Sequence, residues 1–248
     1  MRNLRLEIEY DGTHYCGWQI QGQRNGKKKS VQEVLEKTLR NILNERVQTI
    51  VSGRTDAGVH ALAQVVNFKT KSGLSLGRLK FALNGRLPDD ISVSAVKETT
   101  PDFHSRFDAK SKIYRYTVLN RRYPSALLSK RVYFCRYPLD LSLMRAEANV
   151  LKGRHNFKSF QATDYRQRSP LKTIKSLRIR KAKDLVQIDI EADGFLYNMA
   201  RNIAGTLVAI GRGKLPKGSM KRILEARDRK FAGQTLPPEG LCLIKVKY

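Results

Sequence analysis

Residues 30–68 read S-V-Q-E-V-L-E-K-T-L-R-N-I-L-N-E-R-V-Q-T-I-V-S-G-R-T-D-A-G-V-H-A-L-A-Q-V-V-N-F, and the hydrophobic period changes within them. Ser30 and Glu33 have the spacing of a capping box, in which the Ser side chain and the backbone amide of the third residue satisfy one another. Behind them Val31, Val34, Leu35, Leu39, Ile42 and Leu43 fall on one face of a helix. Val47 to Ser52 then reads as a strand. Gly53 to His60 interrupts it with two glycines, and Val65, Val66 and Phe68 resume a strand. Helix, strand, sharp connection and strand within 39 residues predict a mixed α and β fold.

The pattern extends in both directions. Leu4, Leu6 and Ile8 alternate with charged residues as in a half-buried strand, and Asp11-Gly12 reads as a turn. Residues 22–29, G-Q-R-N-G-K-K-K, read as a polar loop. Leu76 to Leu83 predicts a short helix and Ile91 to Val96 a strand. Near Pro101 to Asp108 the pattern breaks. It restarts with a strand from Ile113 to Leu119 and a helix through Leu141, Met144, Ala148 and Leu151, with Gly153 as its stop. Ile174 to Arg180 and Val186 to Ile190 form a hairpin across Lys183-Asp184. A strong helical face runs from Leu196 to Ile210 and ends at Gly211. A helix at Lys217 to Arg227 and a strand at Leu241 to Val246 follow. The two parts carry elements in similar order. An α+β chain of two halves is therefore expected, 1–107 and 108–248, with antiparallel sheets because the connections are short.

Lys and Arg number 48 against 22 Asp and Glu, a formal net charge of +26. Such an excess repels itself unless a polyanion is the partner. Nucleic acid is the first candidate and an acidic membrane surface the second. The basic residues recur at Arg24 to Lys29, Arg166 to Lys183 and Arg212 to Lys230 with apolar positions between them, which favours a folded basic surface over a basic tail. No stretch approaches the roughly 20 apolar residues that span a bilayer. The charged start M-R-N-L-R-L-E-I-E-Y is not a signal peptide, so a cytoplasmic location is expected. Cys16, Cys135 and Cys242 are far apart and odd in number. His14, His60, His104 and His155 make no ligand spacing. Neither a disulfide scaffold nor a metal site is expected.

The G-R-T-D-A-G-V-H segment is where chemistry is expected. Gly53 and Gly58 permit a close-approaching backbone, and between them stand Arg54 and Asp56. In an extended segment the two point to one side, where the cation would keep the carboxylate ionised, as a nucleophile or a general base. The alternative is a turn in which Asp56 caps Gly58 and Arg54 faces solvent. Tyr114 and Tyr116 share one face of their strand, suited either to packing or to stacking on a base. Arg201 lies off the apolar face of its helix, as a solvated side chain, a phosphate contact or a partner for Asp56. The G-R-G at 211–213 follows a helix, so it is no dinucleotide fingerprint. The P-loop and the G-x-S-x-G elbow are absent from the sequence, so nucleotide hydrolysis and acyl transfer lack their usual parts.

These blocks, in order, resemble the bacterial tRNA pseudouridine synthase A family. The resemblance runs through L-E-I-E-Y-D-G-T-H-Y-C-G-W-Q (Leu6 to Gln19), S-V-Q-E-V-L-E (Ser30 to Glu36), G-R-T-D-A-G-V-H-A-L-A-Q-V-V-N-F (Gly53 to Phe68), F-H-S-R-F (Phe103 to Phe107), K-I-Y-R-Y (Lys112 to Tyr116), G-F-L-Y-N-M-A-R-N-I-A-G-T-L (Gly194 to Leu207) and P-P-E-G-L-C-L (Pro237 to Leu243). It implies isomerisation of uridine to pseudouridine in the tRNA anticodon stem-loop, at positions 38, 39 and 40. Asp56 matches the family's catalytic aspartate. Tyr114 matches the tyrosine that packs beside the target base, and Arg54 and Arg201 match the arginines around the aspartate. The resemblance also implies two ferredoxin-like α/β halves with a central active-site cleft, a homodimer, and no metal or small-molecule cofactor for a redox-neutral rearrangement. One departure is the loop at Gly22 to Lys29, longer and more basic than usual, which bears on the RNA footprint and not on the chemistry. A non-catalytic RNA binder of the same fold and a nucleobase-cleaving glycosylase are the other function classes. The Arg54–Asp56 pair argues against the first, and release of free uracil would identify the second.

Overall fold

The computed structural model describes residues 1–20, 28–163 and 169–248. Residues 22–27 of the basic loop read at Gly22 to Lys29, and Arg166 to Arg168 of the second basic run, lie outside the described residues. The chain divides into two compact units, Met1–Lys110 with Cys242–Tyr248, and Ser111–Leu241.

The first unit begins with β1 (Arg2–Tyr10), α1 (Val31–Leu43), β2 (Ile50–Val51), β3 (His60–Thr70), α2 (Leu76–Asn84) and β4 (Ile91–Thr99). Ser30 caps α1: its side chain accepts from the Glu33 amide (3.1 Å), and Asn44 closes the helix in a left-handed conformation. β1 lies between β3 and β4, antiparallel to both. Leu4, Leu6 and Ile8 face Phe68, Val66 and Gln64 across the β1–β3 ladder. They form a core with Leu35 and Leu39 of α1 and Leu79 and Leu83 of α2, all at most 1% exposed. Each buried aliphatic side chain contributes about 1.5–3 kcal/mol.

The second unit contains β5 (Ser111–Asn120), β6 (Tyr133–Cys135), α3 (Leu141–Asn149), β7 (Gly153–Asn156), β8 (Leu171–Ala182), β9 (Leu185–Ala192), α4 (Met199–Gly211) and α5 (Ser219–Ala226). Its strand order is β5-β9-β8-β7, and the β8–β9 hairpin turns through Lys183 at positive φ, 53°. α4 is buried along nearly its whole length. Gly205 allows this, because a Cβ there would come within 2.0 Å of the Gln234 carbonyl oxygen. The final strand, β10 (Leu241–Lys247), returns to the first unit from Cys242 onward, where Cys242 and Leu243 pair with His60 and Ala61 of β3.

Three expectations need correction. The pairing is mixed: β10 runs parallel to β3 and β6 parallel to β5. Neither pair is joined by a short hairpin, the only connection that compels antiparallel pairing. The strand read at Val47 to Ser52 shrinks to Ile50–Val51, because the Thr49 amide donates to Glu36 Oε1 (2.8 Å) and not to a neighbouring strand, and Ser52 turns into the loop that follows. Gly153 does not stop α3. That helix ends at Asn149 with Val150 as its cap, and Gly153, at φ 98°, opens β7.

Candidate active site

Asp56 lies in the connection between β2 and β3, and core groups hold the backbone on both of its sides. The Ser52 amide donates to the Val65 carbonyl (2.8 Å), and the Ser52 hydroxyl donates to Gln64 Oε1 (2.7 Å). Gln64, fully buried on β3, donates from Nε2 to the Gly53 carbonyl (2.9 Å). Thr55 turns inward, where its hydroxyl meets the buried Tyr10 hydroxyl at 2.7 Å. Burial pushes the Tyr10 pKa up to about 12, so this phenol stays a neutral partner at working pH. Beyond Asp56 the chain reverses: the Val59 amide donates to the Asp56 carbonyl (3.1 Å), with Gly58 at φ 78°. That is the third turn position, which in a type II turn calls for glycine.

The residues just after β1 form a second wall. The Trp18 amide donates to the Thr55 carbonyl (3.0 Å), and Trp18 itself is fully buried. Gly17, at φ 102°, passes so close to the loop that a Cβ there would sit 2.7 Å from the Thr55 oxygen and 3.1 Å from the Asp56 carbonyl carbon. Gly12 does the same at the far end, where a Cβ would sit 2.1 Å from the Val59 oxygen, and its amide donates to His60 Nδ1 (3.1 Å). The register of β1 on β3 shifts between Ile8 and Tyr10, and a bulge of this kind re-aims side chains beside a site. With Thr55 buried, Arg54 is exposed and Asp56 half-buried. The loop therefore presents a cation and a carboxylate from a braced backbone, and preorganised charge of this kind is what stabilises developing charge in a reaction.

Tyr114 and Arg201 belong to the second unit. Tyr114 and Tyr116 share the buried face of β5, with Ile113, Arg115 and Thr117 on the half-exposed face. Tyr116 is a core residue: its hydroxyl donates to the Pro237 carbonyl (2.8 Å), and its ring fills the space a side chain at Gly240 would need. The Tyr114 ring meets Phe195 edge-on at 4.9 Å. Arg201, in the first turn of α4, donates from Nε to the Leu236 carbonyl (2.7 Å) and from Nη1 to Asn198 Oδ1 (2.8 Å). A merely solvated arginine would not be held at two points. The Gly194-to-Leu207 block thus supplies both the ring beside Tyr114 and Arg201.

The sequence reading did not find Tyr10, Gly12, Gly17, Trp18, Thr55 or Gln64 as supports of the Asp56 loop. The available signal was the pair of glycines flanking T-H-Y-C in the first block, since glycine marks close backbone approach. Among the described residues no group of three or more His, Cys, Asp or Glu could hold a metal ion, and Cys16, Cys135 and Cys242 form no disulfide. No helix among them is long and apolar enough to cross a membrane.

A family model described as tRNA pseudouridine synthase matches residues 7–108 and 148–248. The chain is 44% identical over 248 residues to the tRNA pseudouridine synthase A of Acetivibrio thermocellus and to that of Thermoanaerobacter pseudethanolicus, with 100% of each chain covered. It is 42% identical, over the same span and coverage, to the tRNA pseudouridine synthase A 2 of Clostridium perfringens.

Proposed function

Because the chain belongs to the tRNA pseudouridine synthase family and is an isomerase converting uridine to pseudouridine in tRNA, we propose that its target is the anticodon stem-loop, at positions 38, 39 and 40, with Asp56 as the catalytic nucleophile. The observation that carries the role of Asp56 is the bracing of its backbone by Gln64, Tyr10 and Trp18 while the residue itself remains half-exposed. Isomerisation breaks the N1–C1′ bond, turns the uracil, forms C5–C1′ and in sum moves a proton from C5 to N1. The base must leave its stack first. Asp56 attacks the ribose or the uracil ring, or takes a sugar proton. Arg54 and Arg201 stabilise negative charge on Asp56 or on the detached uracil. Tyr114 packs beside the target base.

In this reading the halves 1–107 and 108–248, with Cys242–Tyr248 returned to the first, are ferredoxin-like, and the active species is a cytoplasmic homodimer that binds RNA through its basic surface. Incubation with transcribed tRNA, followed by chemical mapping of pseudouridine, tests the assignment. Product at positions 38–40 is expected. Product confined to another region, or release of free uracil, would overturn it.

The Tyr114 side chain separates two roles. Tyr114→Phe keeps the ring against Phe195 and is expected to preserve folding and tRNA binding. If the hydroxyl relays the C5 proton, single-turnover rates at saturating tRNA fall by about 10²–10⁴-fold, the usual worth of a general acid or base. If only the ring acts, the rate stays near wild type. Tyr114→Ala is expected to lose both turnover and about 3–5 kcal/mol of stability, because a buried ring is removed. An alanine variant turning over at the wild-type rate would leave Tyr114 as a strand residue only.

A further inference from the structure

The F-H-S-R-F block at residues 103–107 lies outside the catalytic reading, yet the first unit anchors it firmly. Ser105 is fully buried, and both its amide and its hydroxyl donate to Asn67 Oδ1 (2.9 and 2.8 Å). The Phe103 carbonyl accepts from Asn3 and Asn67 (2.9 and 3.2 Å). The Ser105 carbonyl accepts from the Tyr248 hydroxyl (2.8 Å).

On top of this anchor sits an exposed aromatic pair. The His104 amide donates to Asp108 Oδ2 (2.9 Å). Its Nδ1 accepts from the amides of Arg106 and Phe107 (both 3.2 Å), which fixes the imidazole. The Phe107 ring stacks on that imidazole at 4.2 Å and 28°. Even so, Phe107 is 75% exposed, so its other face is open to solvent. The Arg106 guanidinium lies 5.6 Å from the ring centroid. A single exposed phenylalanine is ordinary. A ring backed by a locked imidazole, flanked by a guanidinium and tied to the core at several points has the parts of a stacking platform for a nucleobase, with a cation at hand for the adjoining phosphate.

We infer that Phe107, backed by His104 and flanked by Arg106, stacks on one unpaired base of the tRNA during binding. A paired base within a duplex offers no free face, so the ligand is a base in a loop or one already drawn from its stack. The inference rests on tRNA being the substrate and not on the role of Asp56. Its test measures binding without turnover, so a failed role for Asp56 would leave the result standing.

Phe107→Ala and Phe107→Leu are expected to weaken binding of transcribed tRNA by about 5- to 150-fold, the span set by the loss of one base–aromatic stack. Phe107→Trp should restore binding. The chain has one natural tryptophan, Trp18, and it is fully buried. Fluorescence from the new indole should therefore be quenched by tRNA and by a single-stranded oligonucleotide of the anticodon loop, and much less by a long duplex RNA. Sedimentation of each variant accompanies the titrations. Unchanged affinity in the alanine variant, equal quenching by duplex, or an affinity loss that follows a changed oligomeric state would each overturn the inference. The last outcome would make Phe107 a contact between copies of the chain. If the alanine variant fails to fold, the quenching pattern of the tryptophan variant decides.

Discussion

Asp56→Asn is expected to abolish pseudouridine formation, by more than roughly 10⁴-fold at saturating tRNA, a scale set by the removal of nucleophiles in other enzymes. The amide is nearly the shape of the carboxylate but carries no charge, forms no ester or adduct, and takes no proton. The loop should keep its form, because the bonds from Gln64, Trp18 and Val59 all end on main-chain atoms and the Thr55 hydroxyl meets Tyr10 directly. Binding of tRNA is therefore expected to change by no more than a few-fold. Turnover within tenfold of wild type would remove Asp56 from its role. A matching loss of binding would point instead to a structural part for the carboxylate.

Gly17→Ala should be almost as damaging, although Gly17 has no side chain to offer the reaction. At φ 102° an alanine is strained in any surroundings, at a cost of about 1–3 kcal/mol. The added methyl also meets backbone: the Thr55 oxygen at 2.7 Å, and the Ala57 nitrogen and Asp56 carbonyl carbon at 3.1 Å. None of these atoms has a rotamer to escape into, so the peptide carrying Asp56 has to shift. Misplacement of a catalytic group by about 1 Å costs on the order of 10² in rate. The expected result is a loss of about 10²-fold in single-turnover rate, with a melting temperature lowered by only several degrees. Gly73→Ala is the control, since a methyl there meets nothing within 4 Å. A Gly17→Ala variant as fast as wild type would show that the loop does not depend on this close approach.

What could be read in advance was local. The Ser30 cap, the apolar face of α1, the β8–β9 turn at Lys183 and the strand alternation of β1 and β5 each depend on residues a few positions apart, and all were legible. β6 was not, because three residues, Tyr133–Cys135, are too few to show a period. The parallel partner of β10 was not, because His60 and Cys242 are joined by no turn whose chemistry could announce them. The Asp56 loop stood out by its composition, and its resemblance to a known family gave it meaning. Its supports stayed hidden for the reason β10 did: Tyr10 is 45 residues from Thr55 along the chain. Arg201 was read as solvated or functional, and the two bonds that hold it, to Leu236 and Asn198, follow from a chain path that periodicity does not describe.

The return of β10 makes the second unit an insertion. In sequence, Ser111–Leu241 stands between Met1–Lys110 and Cys242–Tyr248, which form one unit. Pairing Cys242 with His60 closes a long loop of chain, and the entropy of closing a loop grows only with the logarithm of its length. The inserted residues therefore add little to the cost of completing the first unit. What they remove is its independence as a continuous piece. Residues 1–110 expressed alone would leave the edge of β3 at His60 and Ala61 without its parallel strand, and a bare edge of that kind is a template for pairing with another chain.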